Sequence, residues 1–164
     1  MNGPGMREII FGFPAIFACL IFLVSSCCGE VKLDVRNQKF FTVQDLKRIP
    51  EYFTGREFSG WKVYCRSNPQ VRDGFYFVIK VGGKKQISSM ISHWIVDWVT
   101  SADPMVKTQK VSIPDLKLFG KEVFVGLTGD HWADRSVKPL AWRLRLIDGQ
   151  GATIGSSQSF LWSK

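Results

Sequence analysis

Ala141–Trp162, AWRLRLIDGQGATIGSSQSFLW, carries the clearest structural pattern in the chain. Its first half alternates apolar and basic side chains in the order Trp142, Arg143, Leu144, Arg145 and Leu146. This period of two predicts a strand with one buried face. Asp148-Gly149 follows, and this dipeptide favours a hairpin turn because it tolerates positive φ. We therefore expect a long C-terminal β-hairpin.

The return strand of this hairpin is expected to bring more apolar side chains into the same core. They share one parity and are Ile154, Phe160 and Trp162. In this register Arg143 and Arg145 face solvent or a partner, because a slip of one residue would bury both. The C-terminus is therefore predicted to belong to the core.

The region between residue 60 and the hairpin also has the pattern of an all-β domain. Runs of β-branched and aromatic residues recur between turn residues, and they predict strands at 61–66, 75–81, 93–100, 105–113 and 122–127. With the hairpin this makes about seven strands at short spacing, which is typical of a β-sandwich. The arrangement is similar to immunoglobulin-like or fibronectin-III-like domains, although the paired cysteines and central Trp of true immunoglobulin domains are absent.

Residues 41–53 depart from the strand pattern. Thr42 is suited to cap a helix, with Asp45 three residues further on. Apolar residues then fall near helical spacing, and Pro50 is expected to disrupt or end the helix. We predict one short helix or turn here, followed by a loop.

The N-terminus carries an export signal. Ile9–Val24 is an apolar run of 16 residues, interrupted only by Gly12 and Pro14, with Arg7 before it. A transmembrane helix needs about 20 apolar residues, so this run is short for that role. A basic flank, a short apolar region and small residues after it together predict a secretory signal peptide.

Val24-Ser25-Ser26-Cys27 ends this region with an aliphatic residue, two small residues and a cysteine. The tetrapeptide resembles the lipobox of bacterial lipoproteins. The resemblance implies that the Cys27 thiol carries diacylglycerol, that cleavage makes Cys27 the mature N-terminus, and that the protein is lipid-anchored in the cell envelope. Cys28 rather than Asp follows, which favours the outer membrane in a double-membrane bacterium. The alternatives are an ordinary cleaved signal, giving a secreted or periplasmic protein, and a retained single-pass anchor.

The chain is thereby divided into three parts: a signal peptide at 1–26, a tether or edge strand at 27–40, and a single β-sandwich domain at 41–164. Cys65 is expected to be a small buried apolar residue on a strand. A disulfide between Cys28 and Cys65 remains open, since an oxidising compartment permits it.

The loop Gly129–Arg135 is the candidate for a functional site, because it places His131 between Asp130 and Asp134. A metal centre or a hydrolase would require these side chains to converge. In the structural alternative, Asp130 caps a turn and Trp132 packs over one end of the sandwich. If the loop instead binds a partner, exposed aromatic and arginine side chains are common anchors, and the residues expected to bind are Asp130, His131, Trp132 and Arg135.

Charge and motif content favour a binding or structural role. The net charge is +8, which favours anionic partners, but no long basic run indicates a specific nucleic-acid partner. The sequence has no nucleophile elbow, phosphate-binding loop or Cys/His metal spacing. We therefore predict a protein without enzymatic activity, cofactor or metal that docks a partner protein or an anionic envelope polymer. The alternative is a secreted hydrolase or metal-dependent enzyme using Asp130, His131 and Asp134.

Overall fold

The computed structural model describes residues 31–83, 89–114, 118–132 and 134–163. Within these ranges the strands are β1 (Lys32–Phe41), β2 (Lys62–Arg66), β3 (Gly74–Gly82), β4 (Ile91–Thr100), β5 (Lys107–Ser112), β6 (Glu122–Thr128), β7 (Pro139–Asp148) and β8 (Thr153–Gln158). Two short helices, α1 (Val43–Leu46) and α2 (Ile49–Thr54), lie between β1 and β2. The predicted signal peptide, the lipobox with Cys27, and Cys28 lie outside the described residues.

The strands form two four-stranded sheets that pack face to face. Sheet A has the order β1-β3-β6-β2, and sheet B has the order β5-β4-β7-β8. Strand pairs are antiparallel except for β2 and β6, which run parallel. The predicted β-sandwich is confirmed. It has eight described strands rather than about seven, because the segment left open as a tether or an edge strand forms β1 from Lys32 onward.

The core between the sheets is rich in aromatic rings. Phe75 of β3 packs on Trp132 with ring centroids 4.7 Å apart, and Phe77 packs on Trp142 at 5.2 Å. The alternation seen in the hairpin holds in β7 and at the start of β8. The hairpin residues buried there are Trp142, Leu144, Leu146 and Ile154.

The end of the hairpin differs from the prediction. β8 ends at Gln158, and Phe160–Ser163 form a 3-10 turn instead of a strand. Phe160 is 75% exposed and Trp162 is only half-buried, so the expectation that both enter the core is wrong. The physical reason is that Trp162 stacks outside the sandwich on the guanidinium of Arg143, 5.1 Å from its ring centroid.

The helical segment begins as predicted and then differs at Pro50. The Thr42 hydroxyl accepts from the Asp45 N–H, and the Asp45 carboxylate accepts from the Thr42 N–H at 2.8 Å. Pro50 does not end a helix but lies in the first turn of α2. Proline is tolerated there because N–H groups of the first turn have no acceptor within the helix.

The two long sides of the sandwich are built differently. On one side the Val31 N–H donates to the Ile154 carbonyl at 3.0 Å, which joins the β1 edge to β8. On the other side β2 pairs only with β6 and β5 only with β4 among the described strands. The sandwich is therefore open between the edges of β2 and β5.

Candidate functional site

A cleft of about 520 Å³ lies along β2 on this open side. We call it the β2 cleft. Its polar lining comes from β2, from the segment before it and from the facing side, and includes Glu57, Ser59, Lys62, Tyr64, Arg66, Ser112 and Lys121. The cleft is therefore shaped by both sheets.

β2 turns a free backbone edge away from its own sheet. Ser67, the residue after β2, donates its N–H to the Gly126 carbonyl of β6 at 2.9 Å. Every second residue of a strand points its backbone N–H and C=O groups to the same side. Val63, four residues before Ser67, therefore also points these groups toward β6. The backbone N–H and C=O groups of Tyr64 and Arg66 consequently point away from β6, toward the open side.

The lining of the cleft is net positive. Among the described residues, Lys62, Arg66 and Lys121 line it together with one carboxylate, that of Glu57. Arg66 binds both oxygens of Glu57, and this hydrogen bond holds the pKa of Glu57 below its ordinary value. Lys62 is paired with Glu122 at 3.2 Å, so these five groups together carry a net charge of +1.

Arg66 is held in place from a second side. Its Nε donates to the hydroxyl of Tyr76 at 3.3 Å, and that hydroxyl donates to the Arg72 carbonyl at 2.7 Å. Burial raises the pKa of Tyr76 to about 12, so its proton stays on at neutral pH. Arg66 is thus a fixed charge rather than a mobile surface side chain.

A buried carboxylate fastens α2 to sheet A. Glu51 is only 4% exposed, and its carboxylate accepts from Arg72 at 2.6 Å. This hydrogen bond lowers the pKa of Glu51, against the effect of burial. The ion pair ties α2 to the segment that leads into β3.

The loop predicted as a site places Asp130, His131 and Asp134 along one shallow cavity of about 260 Å³. His131 is exposed, and its Nδ1 lies 3.3 Å from the Thr128 carbonyl. Asp134 instead accepts hydrogen bonds from the N–H and hydroxyl of Ser136, and Asp130 is exposed. Across the ranges described, no group of three or more His, Cys, Asp or Glu side chains is placed to hold a metal ion.

Trp132 lies in the core rather than on the surface of this loop. It packs against Phe75, and its ring centroid is 6.1 Å from that of Trp98. Any contact made by this loop would therefore use Asp130, His131 and Arg135, which are exposed.

The sequence analysis missed an ion cluster on the outer face of sheet B. The Asp97 side chain is only 3% exposed and accepts from Arg143 and Arg145, each at 3.0 Å, and from the Thr108 hydroxyl at 2.8 Å. The two arginines leave the core as expected, and on the outer face they cover Asp97 while remaining partly exposed. Asp97 lies directly opposite Arg143 in the β4–β7 ladder, a register that sequence alone does not give.

No protein-family model, curated protein or solved structure matches the chain. In the part of the chain that the structure describes, no helix is long and apolar enough to span a membrane.

Proposed function

We propose that the protein is a lipid-anchored, non-enzymatic protein of the bacterial cell envelope that binds an extended acidic segment of a partner protein in the β2 cleft. The observation that carries the binding role is the free backbone edge of Tyr64 and Arg66 beside a net positive cleft. A strand that joins an exposed sheet edge gains main-chain hydrogen bonds, while neighbouring side chains select its sequence. Lysines on an edge strand also disfavour non-specific pairing with other strands. Because Lys62 lies on β2, we expect the segments that pair with this edge to be acidic.

We further propose that the sandwich is immunoglobulin-like or fibronectin-III-like. Without β2, the strand order is β1-β3-β6 in one sheet and β5-β4-β7-β8 in the other. This corresponds to strands A-B-E and C′-C-F-G of such domains. β2 then takes the place of strand D beside E, but in parallel orientation. Residues 42–73 would be an insertion between the first two strands, and β2 belongs to it.

The proposed anchor rests on the lipobox at Val24-Ser25-Ser26-Cys27. Four residue steps separate Cys27 from Val31, where the described sandwich begins. Extended chain covers at most about 14 Å over that distance. A lipid on Cys27 would therefore hold the sandwich close to the bilayer surface.

The anchor is tested by the mass of the mature N-terminus and by Cys27→Ser. We expect the wild-type protein to begin at an acylated Cys27 and to enter the detergent phase. The variant should enter the aqueous phase or keep its signal uncleaved, because only a thiol accepts the diacylglycerol. Unaltered processing and partitioning in Cys27→Ser would refute the anchor.

The binding role is tested with two synthetic probes of equal length, one alternating Glu and Val and the other alternating Lys and Val. We expect the purified full chain to bind only the acidic probe in calorimetry. The amides of Tyr64 and Arg66 should become protected from hydrogen exchange in the bound state. Lys62→Glu should abolish binding, while Lys138→Glu, at an exposed position away from the cleft, should preserve it.

Two results would contradict this binding role. Equal affinity for the acidic and basic probes would show that the charge of the cleft does not select a ligand. Binding of a sulfated polysaccharide without protection of the β2 amides would instead indicate a polymer held by charge alone.

A further inference from the structure

The helix α2 exposes its apolar face. Ile49, Tyr52 and Phe53 are all exposed, Phe53 to 85%. They are spaced i, i+3 and i+4 and therefore lie on one side of the helix. The residue that α2 buries is the charged Glu51. This pattern is the reverse of a helix that packs its apolar face on a core.

The same insertion presents two more aromatic side chains. Phe58 is exposed, and Trp61 is 86% exposed at the start of β2. Isolated exposed apolar residues are ordinary, whereas a group of them marks an interaction site. Four of the five residues in this group are aromatic, a composition found where proteins meet the membrane–water interface. We call it the aromatic patch; its members are Ile49, Tyr52, Phe53, Phe58 and Trp61.

Basic side chains surround the aromatic patch, and the carboxylates near it are bound by other residues of the fold. Lys47 lies over the Tyr52 ring with its Nζ 4.1 Å from the centroid, and Arg56 is exposed. The carboxylates of the segment are bound within the fold: Asp45 at the Thr42 cap, Glu51 by Arg72, and Glu57 by Arg66. The electrostatic character of the patch is therefore cationic.

The positive charge continues across the outer face of sheet A. α1 lies on this face because Leu46 packs with Tyr76, Val78 and Phe124. The β1–β3 register, with its bulge between Val35 and Asn37, places Lys32, Lys39 and Lys80 on the same face, together with Asp34 opposite Lys80. Residues 31–83 contain ten Lys or Arg and five Asp or Glu, so they hold +5 of the net charge of +8.

We propose that the outer face of sheet A docks on an anionic bilayer surface, with the aromatic patch at the level of the lipid headgroups. Aromatic side chains favour the interface, and lysines and arginines are attracted to anionic headgroups. A second copy of the chain is a poor occupant because it would bring two cationic faces together.

This inference goes beyond the proposed function and does not depend on it. Val31, where the proposed tether ends, precedes the β1 edge of the same sheet, so a lipid on Cys27 would be compatible with this orientation. A signal retained as a membrane helix would be compatible as well. The docking of this face is therefore tested with a measurement made at the face itself, which does not depend on whether the chain is held by a lipid or by a retained membrane helix.

The full chain is reconstituted into phosphatidylcholine vesicles with or without phosphatidylglycerol, in which the acyl chains carry bromine. Bromine quenches tryptophan only on close approach to the bilayer. We expect quenching in the vesicles that contain phosphatidylglycerol and its loss in Trp61→Phe. Phe53→Ala and Arg56→Glu should lose most of the quenching, because each weakens the docking contact.

Two variants serve as matched controls on the other sheet. Phe160→Ala removes another exposed phenylalanine, 75% exposed against 85% for Phe53, and Trp162→Phe removes the half-buried tryptophan that stacks on Arg143. Both should keep the quenching. Quenching that survives Trp61→Phe, or that is the same without phosphatidylglycerol, would overturn the proposal. So would a dimer of the Cys27→Ser chain that Phe53→Ala dissociates, since a second copy would then cover the patch. If the proposal fails but the acidic probe still protects the β2 amides, the binding role stands.

Discussion

The carboxylate of Asp97 shows how one side chain sets the role of its neighbours. It is buried, and it accepts hydrogen bonds from Arg143, Arg145 and Thr108. Arg143 in turn carries the ring of Trp162. The carboxylate thereby compensates one of the two positive charges on this strand face and holds both arginines in place.

Asp97→Ala should destabilise the fold more than Arg143→Ala does. Removal of the carboxylate leaves two arginines without an acceptor, which we expect to cost about 2–3 kcal/mol, less than for a fully buried pair because both guanidinium groups contact water. Arg143→Ala leaves Arg145 on the carboxylate and should cost about 1 kcal/mol. Urea unfolding measures both, with exposed Lys110→Ala as the control. Equal costs for the two variants would show that the cluster does not act as a unit.

Tyr76 should make the fold sensitive to alkaline pH. Burial raises its pKa from 10.0 to about 12, so the folded state holds a proton that the unfolded chain releases. This contribution is complete below pH 10 and is lost as pH rises toward 12. Tyr76→Phe should reduce the decline of unfolding free energy over that range, whereas Tyr52→Phe, at an exposed position, should not. If the unfolding free energy declines as steeply in Tyr76→Phe, other titratable groups cause the decline.

The insertion between β1 and β3 is the element on which the proposals depend. Its helix α2 is fastened by a single ion pair, that of Glu51 with Arg72, and Gly55 ends the helix with a φ of 66°. The largest side chains of α2, those of Ile49, Tyr52 and Phe53, are exposed. Loss of the ion pair should therefore loosen the insertion before the sandwich unfolds.

Acidification should release this insertion through Glu51. Its pKa is lowered by the hydrogen bond from Arg72, so its stabilising contribution is present above the ordinary value of 4.5 and is lost as pH falls below it. Glu51→Gln should flatten the acid limb of the stability curve, and Arg72→Gln should flatten it equally. Limited proteolysis of the 42–60 segment should increase in both variants at neutral pH. A steep acid limb in either variant would argue against this pair.

The C-terminal hairpin should tolerate the loss of its last turn. Phe160 and Leu161 are exposed, and Trp162 contributes mainly its contact with Arg143. Deletion of 160–164 should therefore cost about 1 kcal/mol. Leu146→Ala, in the buried face of β7, should cost about 2–5 kcal/mol. Thermal melts compare the two, and a truncated chain that fails to fold would restore the idea of a core-filling C-terminus.

The sequence predicted local elements well and their pairing poorly. Runs of β-branched and aromatic residues located β3 and β4, alternation located β7, and the Thr42–Asp45 spacing located the start of α1, because these signals lie within a few residues of one another. The β2 cleft was not predicted, since it depends on β2 lying beside β6, far along the chain. The loop at Gly129–Arg135 was singled out by its residue types, and its Asp130, His131 and Asp134 line one shallow cavity without forming, among the described residues, a group placed to hold a metal ion.

The whole molecule is asymmetric in charge and in its two long sides. The outer face of sheet A carries lysines and the aromatic patch, while that of sheet B carries the cluster of Asp97 with Arg143 and Arg145. One side is joined through Val31 and Ile154, and the other is open at the β2 cleft. A protein anchored near Val31 and docked on sheet A would present this open side to partners along the membrane surface.

The most direct test of the β2 cleft as the binding site is photocrosslinking of the full chain in intact cells. A photoreactive phenylalanine analogue replaces Tyr64 in the cleft or Phe160 on the opposite sheet, and mass spectrometry maps the adducts. We predict that Tyr64 gives an adduct with an acidic, extended segment of one envelope protein and that Phe160 does not. The absence of a protein adduct at Tyr64, or the same adduct from both positions, would contradict the assignment of the β2 cleft.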